Sequence, residues 1–314
     1  MELQDISPQR VTPAAPTFGE SIGIYLLSGA LLIVFGAQIQ QRHLFLGLFV
    51  TEIFFVVGPA VVYALSCRYD LRRAFSLFPA SLKTALLSVV IASAGFVLVG
   101  MIAALQEYIF PRSPEYQAAW ETLLQKFLAF PLGVTLAVVA VLPGICEELF
   151  FRGFVLRGVR QRCSDEFAII LVGLLFGAFH FDPYRFFPTS LLGMLFGYMV
   201  VKTGSLIPGM IAHVVNNSVA MLLSFAAQTL SAQADASFSP FAAEKEFLSL
   251  SSLLAALPVA CIAAGVLWLG LRALPAVAQV SDGFSPELAL FSPESQTDEE
   301  HQLPPANLLI EEEK

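Results

Sequence analysis

The run GICEELFFRG, Gly144 to Gly153, places two adjacent carboxylates and a guanidinium inside an otherwise apolar stretch. Ionisable groups in such stretches are costly and mark functional sites by default. The other strongly polar groups in apolar runs are Glu52, His180 in FGAFH, and His213, Asn216 and Asn217 in HVVNN. On a helix, residues four apart share a face, whereas neighbours are turned about 100° from each other. Glu148 is therefore expected to pair with Arg152, leaving Glu147 as a free acid in low dielectric, suited to act as a base near neutral pH. Phe176 and His180 are expected to share one face, as are His213 and Asn217. Asn216 points elsewhere and is expected to bond a neighbouring helix. Amide hydrolysis needs a deprotonated water, donors for a tetrahedral oxyanion and an acid for the leaving amine. One carboxylate, two imidazoles and a carboxamide supply all three. The plainer alternative is a buried ion pair with a spare acid that only locks helices together, and His180 on its own would be an ordinary interfacial histidine.

The elements that must position these groups are membrane spans. Hydrophobic residues make up 56% of the 314-residue chain and charged ones only 13%, against about a quarter charged in a soluble domain. The reading is an all-α, polytopic membrane helical bundle of about eight transmembrane helices, since a span needs about 20 apolar residues. The candidates fall at about 21–39, 44–66, 84–105, 129–158, 166–181, 186–202, 205–228 and 249–271. The fifth and sixth are short and tightly linked by FDPYRFF, which predicts a helical hairpin. EYIFPRSPEYQAAWETLLQK, with Tyr108, Tyr116 and Trp120, predicts a helix resting at headgroup level. Lys and Arg concentrate in loops that are cytoplasmic if the N-terminus is inside, so both termini are expected in the cytoplasm. The first eighteen residues do not resemble a cleaved signal peptide, and the first span is expected to be an uncleaved anchor. The net charge of −8 lies largely in a Ser-, Pro- and acid-rich tail expected to be disordered. Cys67, Cys146, Cys163 and Cys261 show no CxxC pair, and no disulfide framework is expected. Cys146, a thiol among apolar residues, is expected to be inert.

Taken in order across consecutive spans, the three motifs Glu147-Glu148-x-x-x-Arg152, Phe176-x-x-x-His180 and His213-x-x-x-Asn217 resemble the CAAX-protease and bacteriocin-processing (CPBP, or Abi) family, which includes the type II CAAX prenyl endopeptidases. The resemblance covers about residues 84–230. It implies an intramembrane endopeptidase in which Glu147 and His180 activate water, His213 and Asn217 stabilise the oxyanion, and Glu148, Arg152 and Phe176 support them. It also implies a lipid bilayer as surroundings, a membrane-associated and possibly lipidated peptide or protein as substrate, no nucleic acid, and a bacterial plasma membrane as location. The organisation expected is a polar segment 1–20, two spans and a basic loop over 21–83, a catalytic core over 84–230, an outer loop and last span over 231–272, and the acidic tail over 273–314.

Cofactors follow from donor chemistry. Glu147, His180 and His213 would be an acceptable zinc set with an open water position. Asparagine is a poor zinc ligand, however, and no second-shell carboxylate for the histidines is evident in the sequence, so a metal-free mechanism is expected. HExxH, GxSG and GxGD are all absent. Two readings from other classes remain: a non-catalytic scaffold or immunity protein, and a proton-coupled transporter. The transporter reading would need Glu52 in a relay, whereas the hydrolase reading leaves Glu52 as a helix-packing partner.

Overall fold

The computed structural model describes residues 15–233 and 249–276. The acidic tail beyond Ala276 and the outer-loop residues 234–248 lie outside the described residues. Among the described residues the regular elements are all helical. Six helices are long and apolar enough to cross a membrane: α1 (Phe18–Arg42), α2 (Leu44–Ser66), α3 (Leu82–Ile109), α5 (Leu132–Val159), α7 (Pro183–Thr203) and the Ile207–Leu230 part of α8 (Ile207–Gln233). Between them lie the amphipathic α4 (Pro114–Leu128) and the short apolar α6 (Asp165–Ala178), and α9 (Leu257–Ala273) closes the order. Fourteen residues make α6 about 21 Å long. That is too short to span hydrocarbon of about 30 Å, so the fifth expected span is half of a hairpin rather than a crossing.

Local chemistry sets these boundaries. Thr17 and Glu20 form a reciprocal capping box at the start of α1. Ser81, Ser113 and Ser164 each accept a backbone N–H at the start of α3, α4 and α6, and Asp182 accepts those of Tyr184 and Arg185 at the start of α7. Such caps satisfy amides that the helix itself leaves without partners. Gly204 ends α7 with φ +67°, a conformation glycine adopts without penalty.

The helices α6 and α7 pack along their length, as the short link predicts. Each carries a glycine pair four residues apart, Gly173 with Gly177 and Gly193 with Gly197. A methyl group on Gly177 would collide with Ser190 Oγ, and one on Gly193 would lie 3.0 Å from Gly173 Cα. The two backbones therefore run almost in contact, the close approach that small residues permit between helices in membranes. The outward surface remains apolar: Leu26, Ile33, Phe54, Val62, Leu86 and Ile262 are exposed. Lipid, not water, suits such a surface, and the protein is an integral membrane protein. All four cysteines are free.

Four stretches depart from α geometry into wider π-turns: Leu32–Gly36 in α1, Thr51–Val57 in α2, and Ala137–Val141 and Leu149–Val155 in α5. The last two flank the acid pair and the first residues of α2's turn carry Glu52. Wide turns of this kind recur at functional sites because they re-aim side chains and loosen the backbone ladder.

Candidate active site

Glu148 and Arg152 are both fully buried, and Arg152 Nη1 donates to Glu148 Oε1 at 2.6 Å. The i, i+4 pairing read from the sequence is present. Arg152 Nη2 donates to the Gly193 carbonyl at 2.9 Å, which ties α5 to α7. The guanidinium lies 4.4 Å from the ring centre of Phe176 and 5.5 Å from that of Phe196. These aromatic faces replace part of the solvation that burial removes.

From α8, His213 Nδ1 donates to the same Glu148 Oε1 at 3.0 Å. With the proton on Nδ1, its Nε2 faces Glu147 Oε2 at 3.8 Å, longer than a direct hydrogen bond. His213 is held by Phe196 stacked at 5.3 Å and by Phe176 edge-on at 5.7 Å. Two glycines allow this approach. A methyl on Gly144 would lie 2.5 Å from Val214 Cγ2, and one on Gly209 would lie 2.8 Å from Glu148 Oε2. The resemblance implies that His213 lies on the oxyanion side of the site. In the structure it stands between the two glutamates.

His180 follows the end of α6 rather than projecting from the helix, because α6 stops at Ala178. Its Nδ1 donates to the Phe176 carbonyl at 2.9 Å, one of the carbonyls that a helix C-terminus leaves without a partner. This bond fixes the tautomer and leaves Nε2 as an acceptor. The ring packs edge-on against Phe176 at 5.0 Å, so one phenylalanine touches both imidazoles. The next residue, Phe181, has φ +51°, unusual for a bulky side chain. Strain in this tight turn therefore adjoins His180.

Asn217 Nδ2 donates to the Val139 carbonyl at 3.4 Å. Val139 is four residues before Pro143, and a proline has no N–H to return to that carbonyl. Pro143 thereby frees the acceptor that docks Asn217 against α5. Asn216, expected to bond another helix, instead donates from Nδ2 to Asn217 Oδ1 at 3.2 Å and steadies it. Motifs one and three are thus joined directly, and motif two meets them through Phe176.

The candidate metal set was Glu147, His180 and His213. Among the described residues no three His, Cys, Asp or Glu side chains gather closely enough to hold a metal ion. The misfit is one of spacing. Zinc does not fit these residues as placed, and no step below is drawn through it.

Two features escaped the sequence reading. The Gly193 carbonyl, an Arg152 acceptor, carries no sequence signal. Glu52 does carry one, being a carboxyl in an apolar span, but it was assigned to packing. It is 8% exposed, on the turn of α2 that packs against the Leu142–Glu148 segment of α5.

Residues 129–219 match the family model described as type II CAAX prenyl endopeptidase Rce1-like. The matched stretch contains all three motifs. No curated protein matches the chain, and no solved structure does.

Proposed function

We propose that this chain, whose residues 129–219 match the type II CAAX prenyl endopeptidase Rce1-like model, belongs to the CPBP (CAAX protease) family and is an intramembrane endopeptidase that hydrolyses a peptide bond of a membrane-associated protein or peptide. The observation that carries the reading is the meeting of α5 and α8, where one glutamate of the pair is neutralised by Arg152 and the other faces His213 Nε2 across 3.8 Å.

A spacing of 3.8 Å between two polar atoms suits a bridging water. In the proposed mechanism Glu147 takes a proton from that water, and His180 Nε2 accepts the hydrogen bond that orients it. The hydroxide adds to the carbonyl carbon, and the displaced electron pair moves to the carbonyl oxygen. Asn217 Nδ2 has one N–H committed to Val139 and one left to donate to that oxygen. The C–N bond then breaks, and the proton held by Glu147 passes to the leaving nitrogen. Glu148 and Arg152 do not take part in bond-making. Their role is to hold His213 in the tautomer that turns Nε2 toward Glu147. A lipidated substrate fits the apolar surroundings of the site and is part of the proposal, as is the orientation with both termini cytoplasmic.

The test is Glu147→Gln, which keeps volume and hydrogen bonding but cannot accept the proton. The variant is expected to accumulate and unfold at the wild-type temperature while cleavage of a membrane-embedded reporter falls by at least about a hundredfold. Full cleavage by this variant would end the assignment of Glu147 as base.

A further inference from the structure

A cavity of about 660 Å³ lies between the C-terminal half of α3, the amphipathic α4, the start of α7 and the short helix Leu250–Ala255 that precedes α9. It is separate from the site above. On α7, Phe186, Ser190 and Gly193 meet α6, whereas Tyr184 and Pro188, which line the cavity, lie on the opposite side of the helix. Further along α3 and α7, Ile91, Ala92, Leu192, Leu195 and Phe196 pack together, and Phe196 stacks on His213. Packed side chains thus separate the cavity from the imidazole.

The lining changes character along its length. Phe96, Gly100, Met101 and Ala104 of α3 contribute an apolar wall, as do Leu253 and Ala256. Glu107, Arg112, Tyr116, Trp120 and Arg185 gather where α3 ends and α7 begins. Along a helix axis, Phe96 to Glu107 covers about 17 Å, close to one leaflet of a hydrocarbon core about 30 Å thick. Tyrosine and tryptophan at the polar end mark the level where headgroups meet hydrocarbon. The volume is that of a ligand site, about 300–1,000 Å³. A methyl added at Gly100 would meet nothing within 4 Å, so the wall stands open there. Leu250, Leu254 and Leu257 beside it are exposed, and hydrocarbon borders the cavity on that flank.

The ionisable side chains at the polar end leave one positive charge in excess. Arg112 Nε donates to Glu107 Oε2 at 2.6 Å, so these two offset each other. Arg185 is exposed; its guanidinium lies 5.6 Å from the Trp120 ring and forms no ion pair among the described residues. Asp182, the carboxylate nearest in sequence, is engaged: Oδ1 accepts the backbone N–H groups of Tyr184 and Arg185, and Oδ2 accepts the Tyr116 hydroxyl. A guanidinium fork matches the geometry of a phosphate, and a net negative headgroup complements the excess charge.

We propose that this cavity binds one anionic phospholipid, with its phosphate on the Arg185 guanidinium and an acyl chain along α3 past Gly100. Such a site is independent of peptide hydrolysis and does not require that the chain be a protease.

The test is native mass spectrometry of the full chain, delipidated in detergent and titrated with phosphatidylglycerol or phosphatidylcholine of identical acyl chains. Wild type is expected to take up one phosphatidylglycerol at least about fivefold more tightly than phosphatidylcholine, the factor that one basic side chain confers on attraction to anionic lipid. Arg185→Gln, a change at an exposed position, should level the two lipids, and Arg185→Lys should keep the preference. Gly100→Leu adds atoms where there is open space and should lose the one-to-one adduct with both lipids. Should Gly100→Leu fail to accumulate, the two Arg185 variants decide alone. Equal binding of the two lipids to wild type, or a preference unchanged in Arg185→Gln, overturns the proposal. So does a Gly100→Leu chain that binds as wild type does, which would mean bulk lipid only. Glycerol 3-phosphate and a lipidated peptide without phosphate are then added in excess as competitors, and neither is expected to displace the phospholipid. Displacement by the first would make this a site for free phosphate, displacement by the second would make it part of the substrate site, and either result overturns the assignment.

Discussion

The Glu148–Arg152 pair offers the sharpest check on how the site is held. Both side chains have no solvent exposure, and they meet at 2.6 Å. Removing one partner of such a pair leaves an uncompensated charge out of water, at a cost of about 3–5 kcal/mol. Arg152→Leu strands Glu148 with only the His213 Nδ1 donor and takes the Arg152 N–H from the Gly193 carbonyl. Glu148→Gln keeps an acceptor for both Arg152 and His213 but withdraws the charge, so its cost should fall at the lower end of that range. In the double variant Glu148→Leu/Arg152→Leu neither charge remains. What is left is the unpartnered His213 Nδ1, at about 1–3 kcal/mol, because the Gly193 carbonyl lies inside α7 and keeps its helical N–H. The double variant should therefore be less damaged than the sum of its singles, with a coupling of a few kcal/mol. The assay is thermal unfolding in detergent, where about 3–5 kcal/mol corresponds to roughly 5–8 °C for a chain of 314 residues. Single variants as stable as wild type, or a double variant whose loss equals the sum of the singles, would refute the view that the pair acts as one neutralised unit.

Three further outcomes are expected. Gly209→Ala puts a methyl 2.8 Å from Glu148 Oε2 and 2.9 Å from Val200 Cγ2, so reporter cleavage should fall by about tenfold or more through displacement of Glu148, as a misplaced supporting group commonly does, and unchanged kinetics would show that the close approach is not needed. Exhaustive chelation should leave cleavage intact, and loss of activity restored by zinc alone would overturn the metal-free mechanism. The Tyr116 phenol is raised above its ordinary value, first by burial and then by donation to Asp182 Oδ2 at 2.5 Å. Because the folded value lies above the unfolded one, the contact is fully stabilising below the unfolded value of about 10 and fades as pH rises through the folded one. Thermal stability should thus decline on the alkaline side in wild type and decline less in Tyr116→Phe.

Some of this architecture could be read from residue order alone. The Glu148–Arg152 pairing follows from helical spacing, a local rule that survives burial, and the α6–α7 hairpin follows from a link too short for anything else. His180 stood out in the sequence by its type and its spacing from Phe176, but its placement did not. Where α6 ends depends on the turn at Phe179–Asp182, and the one glycine in FGAFHFD, Gly177, lies inside the helix and does not mark that stop. That the His213 ring lies between two glutamates was not legible, because the crossing of α5 and α8 involves Gly144 and Gly209, whose meaning appears only when the facing helix is known. The π-turns were invisible, since an apolar run such as AVVAV has the same composition in either helical form. Glu52 was visible as an anomaly, a buried carboxyl in an apolar span. The expectations for the tail beyond Ala276 fall outside the described residues.

The wide turns in α5 bear on how such a helix tolerates change in length. A π-turn is in effect an α-helix with one residue spliced in, so deleting one residue there restores the ordinary ladder while turning everything on one side by about 100°. Removal within Ala137–Val141 would leave Glu147, Glu148 and Arg152 in register with one another but swing them as a block relative to Leu132–Leu136. Removal within Leu149–Val155 before Arg152 would instead part the arginine from its glutamate. The two splices divide α5 into stretches whose registers are set separately. One stretch can follow the demands of lipid while the next follows those of the polar site. For the same reason, no single stripe of side chains runs down this helix, and a one-residue gap opposite one splice means something different from a gap opposite the other.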